Sequence, residues 1–320
     1  LIGRWRLNKL PYQRELSMSM PNFLIVGAAR AGTTSLNYYL KQHPGIYMHP
    51  AKELNFFAFE GQALDFKYWG RPPSQYFNTS IVDIAAYTHS FADVEGQLAI
   101  GEASTVYLYW PSAPERIKFY LPACKIIMIL RHPADRGFSH YVDLRRKNRE
   151  PYENYSEALQ AEDERRNQNW LWDYYYREVG CYYKQVQRYS ETFNPAQLRV
   201  FLYEDLCNNP IGLVQQIFRF LEVNDHFIPD VSIRHNQSGI PKNRFFYSPV
   251  WKPGLLRGLV KNLLPENLRK RMIARANETM LEKITLSPNL RNHLTEYYRQ
   301  DILKLQDLIQ GDLSSWLVQA

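Results

Sequence analysis

Short apolar runs alternate with longer amphipathic stretches along this chain of 320 residues. Phe23-Leu24-Ile25-Val26 is unbroken between Pro21 and Gly27, the pattern of a strand buried on both faces. From Thr33 to Gln42, Leu36, Tyr39 and Leu40 recur at i, i+3 and i+4, which predicts a helix that His43-Pro44-Gly45 ends. Ile46 to Met48 predicts a second strand, Leu98 to Gly101 the end of a third, and Lys125 to Leu130 a fourth. A helix is expected across Ala113 to Tyr120, and another from Pro133, a residue suited to a first helical turn. Helical spacing over 156–169 and 175–193 precedes a strand at Leu198 to Tyr203 and a helix at Ile211 to Leu221. In the tail from 288 to 310, Leu290, Leu294, Tyr297, Ile302, Leu305 and Leu308 share helical spacing. Residues 60–96 show no period and read as loops and short helices. Strands alternating with helices predict an α/β fold: a parallel sheet flanked by helices, with a helical C-terminal extension. No Pro-, Gly- or Ser-rich linker divides the chain. The expected organisation is an N-terminal extension at 1–20 and a single domain at 21–320.

Composition narrows the classes. The apolar fraction is 45% and the charged fraction 22%, which excludes a disordered chain. No apolar run approaches the ~20 residues of a membrane span. The net charge of +7 asks for an anionic partner: a nucleic acid, a lipid surface or a phosphorylated small molecule. The basic runs Arg145-Arg146-Lys147-Asn148-Arg149 and Arg269-Lys270-Arg271 come with no RNP or zinc-finger pattern, so they read as solvated faces. Neither nucleic acid nor membrane is the expected partner. Cys124, Cys181 and Cys207 are far apart, with no CxxC, which argues against a disulfide scaffold or a cysteine zinc site and for a reducing, cytoplasmic setting. Leu1 to Met20 lacks the pattern of a signal peptide.

The segment Gly27-Ala28-Ala29-Arg30-Ala31-Gly32-Thr33-Thr34-Ser35 joins the first strand to its helix. Its glycines have Walker A spacing, and such a loop offers backbone N–H groups and a helix N-terminus to a phosphate. The Walker lysine position holds Thr33, and a nucleoside triphosphatase needs that cation. The loop therefore reads as a phosphate site that is not an ATPase loop, with Arg30 as its cation. A plain strand–helix turn is the simpler alternative. A second anion site is expected where Arg131 ends the fourth strand, because open α/β sheets bind ligands at that edge. Arg131 can chelate a phosphate, with Ser139 adding a hydroxyl.

Together these segments resemble the PAPS-dependent sulfotransferase family, in its stand-alone bacterial branch and the heparan-type domain. There, [KR]-x-G-T-T holds the 5′-phosphosulfate of 3′-phosphoadenylyl sulfate (PAPS); here it is Arg30-Ala31-Gly32-Thr33-Thr34. R-x-P-x-x-R-x-x-S-x-Y holds the 3′-phosphate, and Arg131 to Tyr141 matches it completely. Lys52-Glu53-Leu54-Asn55-Phe56-Phe57 looks like the family's K-E-x-x-F-F, Tyr203-Glu204-Asp205-Leu206 like its Y-E-D-L, and Gly311 to Trp316 like its usual ending. The resemblance implies sulfuryl transfer from PAPS to a hydroxyl or amine, with PAP as product and no metal required. It implies donor contacts from Arg30, Ala31, Gly32, Thr33, Thr34, Ser35, Arg131 and Ser139. It also implies Tyr182 flanking adenine, where a core role is the alternative, and a basic loop with Lys242 and Arg244 over the 3′-phosphate.

Glu53 corresponds to the catalytic glutamate of the heparan-type enzymes, with His49 as second candidate base, His132 as third, and Lys52 to steady the sulfuryl oxygens. Related sequences often read G-E-K-S-P where Gly101-Glu102-Ala103-Ser104-Thr105 stands, so the lysine there is lost. Phe56 to Tyr76 and Trp170 to Tyr176 are either an acceptor pocket or core. Likeness to the stand-alone bacterial members points to a small natural product as acceptor, a saxitoxin-type alkaloid for example, over a polysaccharide. The rival readings are a P-loop nucleotide kinase and a non-catalytic nucleotide- or polyanion-binding module, which Ala103 favours.

Overall fold

The computed structural model describes residues 20–70, 77–232, 240–241, 281–282 and 284–319. Five strands, β1 (Phe23–Gly27), β2 (Ile46–Met48), β3 (Ala99–Ala103), β4 (Lys125–Leu130) and β5 (Leu198–Leu202), form one sheet in the order β2-β3-β1-β4-β5, parallel throughout. The helices among them are α1 (Thr33–Leu40), α2 (Phe56–Phe59), α3 (Ile84–His89), α4 (Val106–Tyr109), α5 (Ala113–Tyr120), α6 (Pro133–Arg146), α7 (Tyr155–Gln160), α8 (Glu162–Asn167), α9 (Tyr182–Thr192), α10 (Tyr203–Asn208) and α11 (Pro210–Leu221). A C-terminal helix, Pro288–Ile309, follows. The layout is the expected α/β sheet flanked by helices.

Phe23 to Val26 and Ile126 to Leu130 have no exposed surface, because β1 and β4 lie inside the sheet with helices on both faces. The chain leaves β1 toward the β2 edge and later crosses to β4 on the other side. The crevice at this reversal, outside the carboxyl ends of β1, β3 and β4, is where an open α/β sheet binds ligands. The loops at 28–32, 104–105 and 131–132 converge there.

The sequence pattern misplaces several bounds, each for a tertiary reason. β3 runs on to Ala103, where its carbonyl accepts the Glu53 N–H (2.9 Å). The expected helix over 175–193 begins only at Tyr182; single 3-10 turns at Trp172–Tyr174 and Glu178–Gly180 precede it. There, the buried Arg136 Nη2 donates to the Tyr176 carbonyl (2.7 Å), and the buried Glu162 carboxylate accepts from the amides of Arg177 (2.8 Å) and Glu178 (2.9 Å). Those bonds replace a helical ladder. The 156–169 stretch divides at Ala161 into α7 and α8. The C-terminal helix lies against α9 and α6: Asp301 accepts from Tyr183 N, Tyr298 Oη donates to Arg177 O, and Arg291 pairs with Asp135. The 240–241 and 281–282 strands pair antiparallel. Lys242 and Arg244 lie outside the described residues. Among the described residues, no helix is long and apolar enough to cross a membrane.

Behind the crevice, Glu150 is fully buried and held by Arg165 through two bonds (2.7 and 2.9 Å) and by Tyr176 Oη (2.6 Å). The Arg165 guanidinium also lies over the rings of Tyr152, Trp170 and Tyr174. Breaking a buried pair leaves an uncompensated charge. Glu150→Gln should therefore lower unfolding free energy by about 3 kcal/mol, read as a shift in urea midpoint. A shift of a few tenths of a kcal/mol would mean that the pair contributes little.

Candidate active site

The loop at 28–32 makes its turn with two residues in the left-handed region, Arg30 (φ 69°) and Gly32 (φ 91°). A Cβ on Gly32 would stand 2.7 Å from Leu206 Cδ2 and 3.0 Å from Tyr203 Cδ2, so the start of α10 packs directly on this turn. The Tyr-Glu-Asp-Leu segment is thus a support for the loop. Behind the turn, α1 starts at Thr33, whose first-turn N–H groups have no intrahelical partner and face the crevice end of the sheet. The Ala31 amide is used inside the loop, donating to Ala28 O (3.2 Å).

Arg30 is the loop's cation and is mostly enclosed. Its Nε donates to Ser139 Oγ (3.3 Å), its Nη1 lies 3.4 Å from Asp143 Oδ1, and its carbonyl accepts from Arg131 Nη1 (3.2 Å). Burial lowers its pKa, against the pull of Asp143. Burial alone would raise the Asp143 carboxyl; Arg30, Lys147 and Arg146 outweigh it and hold the group well below the usual carboxylate range. Arg146 and Lys147 each reach Asp143 at 2.6 Å. Asp143 thus gathers three cations, a role the motif match did not signal. Its position four residues after Ser139, on the same face of α6, is the signal that could have found it.

Arg131 rests over the Tyr203 ring (4.7 Å to the centroid). Of the other residues in its motif, Arg136 and Tyr141 are buried: Arg136 holds the Tyr176 carbonyl, and Tyr141 Oη donates to the carbonyls of Tyr152 and Glu153. Tyr182 is fully buried, its hydroxyl donating to Arg131 O (3.0 Å). No face of its ring is open to a base, so the core alternative holds, and the residue braces the end of β4.

The Lys52-Glu53 segment arrives from β2 beside the loop. Lys52 Nζ donates to Thr33 Oγ1 (3.3 Å) and Thr34 Oγ1 (3.2 Å) and lies 3.8 Å from Glu53 Oε1. Burial pulls the Lys52 ammonium below its ordinary value, and Glu53 opposes the shift. Glu53 (φ 61°) accepts from Thr105 N (2.8 Å) and Thr105 Oγ1 (3.2 Å) and keeps a side chain 37% exposed. His49 is not part of this arrangement. Its Nε2 donates to Ser90 O (3.1 Å), its Nδ1 accepts from Ala51 N (3.1 Å), and its ring packs on Phe91. Both nitrogens are committed to backbone, and the ring does not line the cleft. His132 is likewise buried, its Nε2 donating to Trp316 O (2.9 Å).

An open cleft of about 220 Å³ runs over the loop and the Lys52-Glu53 segment, and Arg131 is not part of its lining. Arg30, Gly32, Thr33, Thr34, Lys52, Glu53, Thr105, Asp143 and Lys147 line it, and Phe77, Leu171, Trp172, Asp173 and Arg149 extend it. Ala31 and Ser35 are buried outside that lining, as is Ser139. Of the aromatic segments, Phe56, Phe57 and Phe59 are core, while Trp172 faces the cleft, backed by Phe59, Phe66, Phe77 and Trp110. Among the described residues, no cluster of His, Cys, Asp and Glu could hold a metal ion.

A model described as the sulfotransferase family matches residues 21–226. The crystal structure of a sulfotransferase from Alicyclobacillus acidocaldarius aligns with a TM-score of 0.73 at 34% identity, over 93% of this chain and 99% of that one. The membrane-associated sulfotransferase kil1 of Dictyostelium discoideum is 30% identical over 150 residues, 46% of this chain and 28% of that protein. The human bifunctional heparan sulfate N-deacetylase/N-sulfotransferase 3 is 25% identical over 312 residues, 94% of this chain and 31% of that protein. The chain thus spans about a third of the length of these curated relatives. With the family match reaching across the loop, the Lys52-Glu53 segment and Arg131 alike, the chain belongs to the sulfotransferase family, enzymes that take their sulfuryl group from PAPS.

Proposed function

We propose that this chain transfers the sulfuryl group of PAPS to a hydroxyl or amine of a small natural product, a class that includes alkaloids of the saxitoxin type. The observation that carries the site assignment is the reach of Lys52 Nζ to the hydroxyls of Thr33 and Thr34, with Glu53 next in sequence. It supports a base and a phosphosulfate loop sharing one wall of the cleft. A cytoplasmic setting is supported by the three cysteines, which form no disulfide.

In the reaction, the acceptor oxygen or nitrogen forms a bond to sulfur as the bond from sulfur to the 5′-phosphate oxygen breaks. The electron pair leaves with PAP, and the acceptor proton passes to Glu53. The chain's work is positioning and charge stabilisation. Arg30 and the first-turn amides of α1 receive the negative charge that grows on the leaving phosphate; Arg30 acts as a fixed cation, since a guanidinium is a poor proton donor. Lys52 lies between the loop hydroxyls and Glu53, where it can follow charge on the sulfuryl oxygens. Thr105 fixes the carboxylate by two donors. Arg131 and Ser139 would take the 3′-phosphate.

Three measurements test this reading. PAP without magnesium should raise the melting temperature more than ATP does; a larger, magnesium-dependent shift with ATP would favour a nucleotide kinase instead. Arg131→Ala should weaken PAP by about 2 kcal/mol, the loss of a charge-assisted bidentate contact. Adenosine 5′-phosphosulfate, which lacks the 3′-phosphate, should be nearly indifferent to that change; equal losses for both ligands would remove Arg131 from the 3′-phosphate site. Glu53→Gln should cut turnover by about 100- to 10,000-fold with little change in PAP affinity. His49→Gln should leave turnover close to wild type. The reverse ranking in steady-state assays would exclude Glu53 as the base.

A further inference from the structure

Beyond Glu53 and Asp143, the cleft presents a third carboxylate for which sulfuryl transfer itself has no use. Asp173 sits in the 3-10 turn Trp172–Tyr174, its side chain 25% exposed and facing the same space. The turn is firmly placed. Leu171 N donates to Lys67 O (2.9 Å), Tyr174 N to Leu171 O (3.1 Å), and the buried Tyr174 Oη to Arg149 O (2.7 Å). A surface loop carrying a solvated aspartate needs none of these ties.

The close neighbour of Asp173 is His140, whose Nε2 is 3.6 Å from Oδ1. Burial, then Arg136 and Arg30, push the His140 imidazole well below its ordinary range, so it brings no charge to the carboxylate. Lys147 and Arg149, at and after the end of α6, also face it; Glu53 and Asp143 face it as like charges. Lys147 Nζ is already engaged by Asp143 at 2.6 Å. Beside Asp173 stands Trp172, a ring lining the cleft with Phe77, and aromatic faces attract cations. A carboxylate next to an indole, inside a cleft already supplied with cations for the donor, suits a ligand group of positive charge.

We propose that Asp173 is the specificity-determining residue for the acceptor, receiving a protonated amine or guanidinium against Trp172 while a separate hydroxyl of the same molecule takes the sulfuryl group. This rests on the sulfotransferase reading above and adds the charge of the acceptor. The cation bound at Asp173 keeps its proton and is not the nucleophile, so the acceptor must carry both groups. Unliganded, the Asp173 carboxyl is pushed up to about 6, by burial first, with Glu53 and Asp143 adding to it against Lys147 and Arg149. A cation entering the cleft relieves that burden. The preference for cations should hold above pH 6 and fade as the pH falls below it, because the protonated carboxyl no longer attracts charge.

The test uses three phenols of similar size and different charge: tyramine (cation), 4-ethylphenol (neutral) and 4-hydroxyphenylacetate (anion). Each is titrated by calorimetry into the full chain loaded with PAP. At pH 7.5 tyramine should bind about tenfold tighter than 4-ethylphenol, and the anion most weakly. Asp173→Asn should abolish the preference, and Asp173→Glu should restore part of it, with PAP affinity unchanged in both. If neither variant folds, the wild type and Glu53→Gln still decide the matter. The tyramine preference should drop between pH 7.5 and 5 in both, since tyramine keeps its charge over that range, Asp143 is held ionised, and the Asp173 carboxyl remains in the cleft when Glu53 is removed. Failure of tyramine to bind better than 4-ethylphenol, or a preference untouched by Asp173→Asn, overturns the assignment. PAP binding by the same samples reports separately on the donor reading.

Discussion

Arg30 is the residue on which the rest of the site depends. A cation this enclosed has to be paired, because an isolated buried charge costs several kcal/mol. Asp143 and Ser139 supply the partners from α6, and the Arg30 carbonyl in turn accepts from Arg131 at the end of β4. Those contacts are available because β1 and β4 are parallel neighbours, with Phe23 opposite Lys125, so their carboxyl ends emerge side by side. The loop after one strand and the helix after the other are then within reach of a single side chain. The two segments read from the sequence as anion sites, more than a hundred residues apart, form one continuous unit through it.

Glu53 is held on different terms. Glu53 and Asn55 both lie in the left-handed region (φ 61° and 58°), which costs roughly 1–2 kcal/mol for each residue with a Cβ. The turn persists because it is tied at every point: Glu53 N to Ala103 O, Thr79 Oγ1 to Glu53 O, Asn55 N to Ser104 Oγ. Ser104 Oγ in turn donates to Glu102, a fully buried carboxyl that also accepts from Tyr87 and Tyr107 and is pushed up to about 7 by burial against those bonds. The segment that lacks the family's frequent lysine thus acts through its other members. Thr105 has an N–H to give Glu53, where a proline has none. The departure at Ala103 removes a charge, and that at Thr105 adds a donor to the same carboxylate.

The strands and the Arg30–Thr34 loop were legible because local pattern determines them: an unbroken apolar run, a glycine at a left-handed turn, hydroxyls at a helix start. Ile46–Met48, Ala113–Tyr120 and Lys125–Leu130 fall where the periodicity puts them. What was illegible depends on contacts between distant segments. Nothing near Tyr175 announces that Arg136, forty residues earlier, will take the Tyr176 carbonyl and delay the helix to Tyr182. The motif from Arg131 to Tyr141 matches in full, yet only its first arginine and its serine touch Arg30; spacing does not separate a ligand arginine from one buried against a carbonyl. His49 is of a residue type that serves as a base, but its Nε2 is taken by Ser90, from the 60–96 stretch that shows no period, and its Nδ1 by Ala51, two residues on.

The same distinction bears on the basic net charge. A surplus of +7 points to an anionic partner, but the cleft is an arrangement of opposite charges: Arg30, Lys52, Lys147 and Arg149 together with Glu53, Asp143 and Asp173. Attraction between opposite charges falls with distance, so which groups pair matters as well as their sum. Asp143 takes Lys147 and Arg146 and also anchors Arg30. Glu53 is bonded by Thr105 and flanked by Lys52. Asp173 lines the cleft with Trp172 and Phe77. On the proposals made above, a single cleft presents positive charge to one substrate and negative charge to the other. Two reactants of opposite character can then be brought together without either displacing the other, and no feature of composition alone could encode that division.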